Sequence, residues 1–302
     1  MLHSRALMYF DEVARRGSIR RASDHLNIAA SAVDRQILQL EQYIGAPLFE
    51  RTTKGLILTA AGEILVETVR RTKRELSKAK SHIDDLQGLR RGEVSIVTVE
   101  GALAFIGKAL AAFHRNYPAI SHRVQVAPAA TVADLVLANQ FDVGLTFNPP
   151  NTHALRLEKT VLYKLGVAVI PGHPLTQVDV TIDECSKYPL IIPDGSLSLR
   201  AGIDAFWQRG IGTVPLAAFE TSSFTLAKQL AYLGCGAALV TAIDVFDEVE
   251  SGGLIFLPFV EEKAPLSNLS LIAASGRSLS IPSSLFIKHL SEVMMNQNEP
   301  SV

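Results

Sequence analysis

The chain has 302 residues, is 48% hydrophobic and carries a formal net charge of −1. That apolar content excludes a disordered chain, and the length suits two or three domains rather than one core. Two cysteines, Cys185 and Cys235, exclude a disulfide scaffold and suit a reducing, cytoplasmic setting.

The near-neutral charge conceals an asymmetry. Residues 1–91 hold 16 Lys/Arg against 11 Asp/Glu, and the remainder holds 13 against 19. A basic head on an acidic body fits a polyanion that meets only the head. The amphipathic, charged N-terminus is unlike a signal peptide. Apolar runs such as "LGVAVI" fall far short of a membrane span, so no membrane partner is expected.

The first 58 residues read as three helices and a hairpin. Leu7, Phe10, Val13 and Ala14 give the first helix one apolar face. Gly17 ends it and Ser18 is a good N-cap for the second, with Ile19, Ala22 and Leu26 inward. Asn27 and Ile28 make a tight connection. In the third helix Val33, Ile37, Leu40 and Ile44 recur at helical spacing until Gly45 and Pro47 stop it. "PLFE" and "LILT" then flank "RTTKG" as a hairpin. Two helices at a tight turn followed by a hairpin describe a winged helix-turn-helix, whose second helix enters the major groove. The first turn of that helix is nearly bare, which permits close approach.

Residues 60–87 predict one long helix with Thr59 as its N-cap. Leu65, Val69, Thr72, Leu76, Ala79, Ile83 and Leu86 form a heptad seam suited to pairing with a second chain. At 1.5 Å per residue it runs about 40 Å. "GLRRGE" reads as a hinge. From Val94 strands alternate with helices in two successive sets, an α/β class with two lobes. The second set begins near "KLGVAVIPG", and the final strand and helix return to the first. Open α/β sheets bind ligands beyond the carboxyl ends of their strands.

The stretch from "ALMYFDEVARRGSIRRASDHLNIAAS" through "LFERTTKGLILTAAGE" resembles the N-terminus of LysR-type transcriptional regulators. "FHRNYP", "FDVGL", "GHPL" and "LAYLGCGAALV" extend the resemblance over nearly the whole chain. It implies a winged helix-turn-helix at 1–59 and a dimerising linker helix at 60–88. It also implies an effector domain at 89–302 of the type II periplasmic binding-protein fold, with one lobe at about 92–164 and 268–302 and the other at about 165–267. A homotetramer on an interrupted palindrome is implied, switched by a small-molecule effector, with RNA polymerase as a further candidate partner. Alternatives are a solute-binding protein, or an α/β enzyme with a DNA-binding head.

The recognition turn departs from the family's common Ser-Gln-Pro-Ala-Leu-Ser-Arg, reading Ala29 to Arg35 as AASAVDR. Ala30 replaces a Gln able to bond adenine bidentately and offers only a methyl. Asp34 either accepts from cytosine N4 or favours the positive helix N-terminus. Ser31 and Arg35 share the exposed face. In the wing Arg51, Thr53 and Lys54 are expected at phosphates or the minor groove, with an intradomain salt bridge as the other reading of Arg51.

By the resemblance, the effector pocket begins at "TVEGA", with Thr98, Glu100 and Gly101. Glu100 either lines the pocket, where it disfavours a simple dicarboxylate, or caps a helix and faces solvent. Phe147, Asn148, Gly195, Ser196, Thr221 and Ser222 also fall at strand ends. His114 and His122 read as surface residues. "GCG" at 234–236 follows a helix, so it is no dinucleotide fingerprint and serves a tight backbone. Neither metal spacing nor a nucleophile–base pairing is readable, and no cofactor or enzymatic activity is expected.

Overall fold

The computed structural model describes residues 5–52, 55–86, 92–276 and 278–296. The chain divides into two compact units, Met1–Lys80 and Ser81–Val302.

In the first unit α1 (Arg5–Arg16), α2 (Ile19–Leu26) and α3 (Ala30–Ile44) surround a small core. Phe10, Val13, Ala22, Val33 and Leu48 are fully buried, and Ile37 and Leu40 nearly so. Each large apolar side chain so placed contributes roughly 1.5–3 kcal/mol. Gly17 and Asn27 adopt left-handed conformations that turn the chain sharply around α2. Ser18 caps α2 by accepting from the Arg21 amide. Ile44, expected inward, is exposed where α3 runs past the core.

The hairpin is tighter than its sequence suggests. Strand β1 (Phe49–Thr52) pairs antiparallel with β2 (Gly55–Leu58), Thr52 facing Gly55. Arg51 and Thr52 therefore belong to a strand rather than to the loop. Glu41 of α3 sets the entry angle, accepting from the Leu48 and Phe49 amides at 2.7 and 3.3 Å.

Helix α4 (Ala60–Leu86) starts at Thr59, whose hydroxyl accepts from the Gly62 amide. Its early turns are used within the chain, where Leu65, Val66 and Val69 pack on the N-terminal core. Farther along, Leu76 and Ile83 are 44% and 56% exposed. The heptad seam thus changes roles along its length. The side chain of Leu86, the last position of the seam, lies outside the described residues.

The second unit is built on β3 (Gly92–Thr98), β4 (Ile120–Val126), β5 (Val143–Phe147), β6 (Leu155–Val169), β7 (Leu190–Pro193), β8 (Ala217–Thr221), β9 (Ala237–Thr241), β10 (Ile255–Pro258) and β11 (Leu266–Ala274). Their order is β4-β3-β5-β11-β6-β9-β7-β8, with β10 also on β6. Strand β3 is parallel to β4 and β5, as β7 is to β8 and β9. Helices α5 (Leu103–Asn116), α6 (Ala129–Leu137), α8 (Leu199–Ile211) and α9 (Phe224–Tyr232) make the connections that parallel neighbours require, and the single turn α7 (Ile182–Cys185) precedes β7.

Strand β6 belongs to both halves. Its first part pairs with β11 and its last part with β9 and β10, all antiparallel. The second set of elements therefore begins inside a strand that starts at Leu155, not at a break near Lys164. Two separate apolar cores result. One holds Phe105, Phe113, Leu145, Leu271 and Phe286, the last from α11 (Ile281–Asn296). The other holds Ile191, Ile203, Trp207, Leu239 and Phe259. Between β9 and α10 (Phe246–Glu250), Ile243 belongs to the first core and Val245 to the second, so Asp244 stands at the seam of the two lobes. Among the described residues no helix is long and apolar enough to cross a membrane.

Candidate nucleic-acid interface and interlobe cavity

Helix α3 buries Val33, Ile37 and Leu40 and turns Ala30, Ser31, Ala32 and Arg35 outward. Its N-cap, Ala29, has no side chain able to bond the first-turn amides. The Ala32 amide turns back to the Ala29 carbonyl at 3.0 Å, which leaves the amides of Ala30 and Ser31 to an outside acceptor, the arrangement that makes helix N-termini anion sites. A shallow groove runs beside this face, lined by Arg5, Tyr9, Ser31, Ala32, Arg35, Gln36 and Gln39. Arg5, Gln36 and Gln39 were missing from the sequence reading. The spacing Ser31, Arg35, Gln39 repeats every four residues, so the helical period could have found Gln39.

Asp34 has a partner that the sequence reading did not give it. It lies 3.5 Å from Arg51, linking the recognition helix to the wing strand. The Arg51 side chain is 80% exposed, so the pair is weak and the guanidinium stays at the surface. Both the intradomain bridge and a surface position hold for Arg51. Thr53 and Lys54 lie outside the described residues.

In the second unit a cavity of about 330 Å³ opens between the lobes, at the lower end of ligand-site volumes. Glu100, Gly101, Phe147, Ser196 and Ser222 line it, as the strand-end rule predicts. Four other expected residues do not. Thr98 is fully buried within β3. Asn148 adopts a left-handed turn and its side-chain oxygen accepts from the Asn268 amide. Gly195 is exposed beside the wall, in a turn closed by Asp194 on Ser196. The Thr221 hydroxyl accepts from the Ser223 amide. The last three departures share a cause: residues one or two positions from a strand end are often spent on closing the turn.

Glu100 neither caps its own helix nor faces solvent. Its Oε1 accepts from the Ser223 hydroxyl at 2.8 Å and the Thr225 amide at 3.1 Å. It therefore reaches across the cleft to the N-terminus of α9, where a negative charge is favoured. Burial alone would raise its pKa, but the bonds from Thr225 and Ser223 prevail and hold the carboxyl below its usual range.

Sequence reasoning missed Asp244, which stands in the cavity wall at 3% exposure. Its Oδ2 accepts from the Thr241 amide and hydroxyl, both at 2.7 Å. Its Oδ1 is buried with no hydrogen-bond partner. A Cβ at Gly101 would stand 2.1 Å from that oxygen, so only glycine fits there. Burial, opposed by Thr241 and Lys228 and reinforced by Glu100, pushes the Asp244 carboxyl up to about 7. The one available signal was an isolated acid inside the apolar run "ALVTAIDVF".

Elsewhere His122 is not a surface residue. Its ring is half-buried against Phe113 and Phe286, and burial, then His114, lowers its pKa. Burial pushes the Cys185 thiol up to about 12, which keeps it inert. A Cβ at Gly236 would meet the Pro189 carbonyl at 2.2 Å, so "GCG" marks a close backbone approach.

Comparison with known proteins converges on one family. The profile of the LysR substrate binding domain matches residues 87–295. That of the bacterial regulatory helix-turn-helix protein, lysR family, matches residues 4–63. The transcriptional activator CmpR of Synechocystis is 25% identical, across 93% of this chain and 92% of its own. The regulator CbbR of Rhodospirillum rubrum is 29% identical, across 84% and 85%. These relatives are regulators of transcription, not enzymes. Full-length CbnR, solved in complex with its target DNA, shares the fold with a TM-score of 0.71 at 20% identity, over 96% of this chain and 99% of that one.

Proposed function

Because the chain belongs to the LysR family, and so is a DNA-binding transcriptional regulator with an effector domain and not an enzyme, we propose how its parts divide that work. Residues 1–59 read an operator, residues 60–88 pair two chains, and residues 89–302 bind a small-molecule effector between their lobes. Ser31 and Arg35 meet base edges, and Ala30 approaches closely. Arg51, Thr53 and Lys54 meet phosphates or the minor groove, with Asp34 steering Arg51. Two chains join through the exposed half of α4 and assemble further into a tetramer. Such a protein acts where the chromosome is, in the cytoplasm.

The observation that carries the reading is Glu100. It is a side chain of one lobe that bonds the other lobe while forming part of the cavity wall. A ligand entering beside that bond has different contacts with open and closed lobes. That differential affinity is the requirement for any ligand-driven switch.

The test is a mobility-shift assay with DNA from upstream of the protein's own gene. Wild type should bind it specifically, and Arg35→Ala should lose most of that specificity. Equal retardation of unrelated DNA by both proteins would remove α3 from the reading.

A further inference from the structure

The cavity wall has an unusual charge balance. Glu100 and Asp244 are both in it, and among the described residues no Lys, Arg or His is. Its other polar side chains are hydroxyls, including Ser196, Ser222 and Thr241. The Phe147 and Phe224 rings supply aromatic surface. The nearest basic group acting on Asp244 is Lys228, which is already engaged by Glu248 at 2.9 Å. The two acids are in different states of satisfaction. Glu100 is held by donors from α9, whereas Asp244 Oδ1 is a buried acceptor with no donor. An unfilled acceptor of this kind has lost its water without replacement, a cost that a ligand donor would remove.

We infer that the interlobe cavity takes a small organic cation, an amine or amidine on an apolar body, with Asp244 as its counter-ion; the inference rests on this cavity being the effector site. The acids attract such a head, and Phe147 and Phe224 give its apolar body surface to pack on. A carboxylate or phosphate would face two acids and no base. The groups that set the charge at Asp244 are Glu100, Lys228 and Thr241, with Tyr163 feeling its field. Because the Asp244 carboxyl lies near 7, an arriving cation completes its ionisation at little cost. Gly101 keeps the approach narrow, because any side chain there would collide with the acid.

The experiment uses the full-length protein and sets of molecules that share a body and differ in the head. Butylamine, cyclohexylmethylamine, phenethylamine and tryptamine are each compared with the matching alcohol and carboxylate by thermal shift and calorimetry. The expected order within a set is amine first and carboxylate last, with affinity for the amine rising from pH 6 to pH 8. Asp244→Asn should weaken the amine by roughly tenfold to a hundredfold and should improve the carboxylate, which then faces one acid fewer. Ser222→Trp, a change at an exposed wall position, should block every member. Carboxylates that bind better than amines and are blocked by Ser222→Trp would overturn the cation and keep the effector cavity. Binding that survives Ser222→Trp would overturn the cavity itself. Silence of all the amines would also sink the proposal.

Discussion

The recognition face and the interlobe cavity treat charge in opposite ways. On the first, Arg35 and Arg51 stand in water on one helix and one adjoining strand. In the second, Asp244 is withdrawn from water and Glu100 is spent on a helix of the other lobe. An exposed cation acts at a distance, adjusts its rotamer and loses strength in salt. A buried acid acts only on what touches it, and its neighbours must fix its geometry. The head is therefore built for a long polyanion met over many positions, and the cavity for one small molecule met closely.

The largest expected effect separates both regions from the helix between them in sequence. Leu76→Asp on the exposed half of α4 should cost at least about 5 kcal/mol of dimer stability, from two lost leucines and two desolvated carboxylates. Sedimentation should show a lighter species that no longer binds the operator; an unchanged mass would mean that this seam is not the dimer contact.

Next is the cost stored at Asp244. Its folded pKa is raised, so the stability it contributes is full below the ordinary carboxylate range and is lost as pH rises to about 7. Wild type should lose on the order of 2–4 kcal/mol through this group between pH 4 and pH 8. Asp244→Asn should be free of that slope, and urea midpoints should show the variant gaining on wild type as pH rises. Parallel midpoint curves for the two proteins would contradict a buried, strained acid.

On the open face the effects are smaller. Arg35→Ala should cost roughly 1–3 kcal/mol of specific binding, with thermal stability unchanged because its side chain supports nothing in the core. An accompanying fall in stability would make it structural.

The smallest effect belongs to the acid that is satisfied. Glu100→Gln keeps the acceptor and loses the charge at the N-terminus of α9, a change of about 1 kcal/mol. The Glu100 pKa is depressed, so its contribution is present above the ordinary carboxylate range and is lost as pH falls through the folded value. The wild-type advantage should close in acid, opposite in sign to the behaviour of Asp244.

Legibility divided along the same line. The three N-terminal helices follow from local rules: period, caps and left-handed turns at Gly17, Asn27 and Gly45. The outward set Ser31 and Arg35 followed from the inward set Val33, Ile37 and Leu40. The hairpin boundaries slipped because strand pairing, not composition, decides where a turn begins. In the body, Phe147, Ser196 and Ser222 were reachable because strand ends face the cleft. Asp244 was not, since its importance depends on Gly101, more than a hundred residues away in the chain. Nor could local pattern show that Glu100 would cap a helix of the other lobe. Asn148, Gly195 and Thr221, chosen by the same strand-end rule, lie off the wall because turn closure competes for the same positions, and Thr98, taken from the resemblance, is buried within β3.

Strand β6 has a mechanical consequence. It runs unbroken from Leu155 to Val169 and carries β11 beside it along its first part. The chain thus passes between the lobes as a two-stranded ribbon, not as a pair of slack linkers. Such a ribbon resists extension, because lengthening would shear its ladder of hydrogen bonds. It yields most readily to twist, the deformation in which two-stranded ribbons vary most. The register shift at Leu271/Ile272 gives it a soft point on the side of the first lobe. Closing force exerted at the cavity should therefore be delivered as torque about the ribbon axis, a rotation that requires no loop to refold.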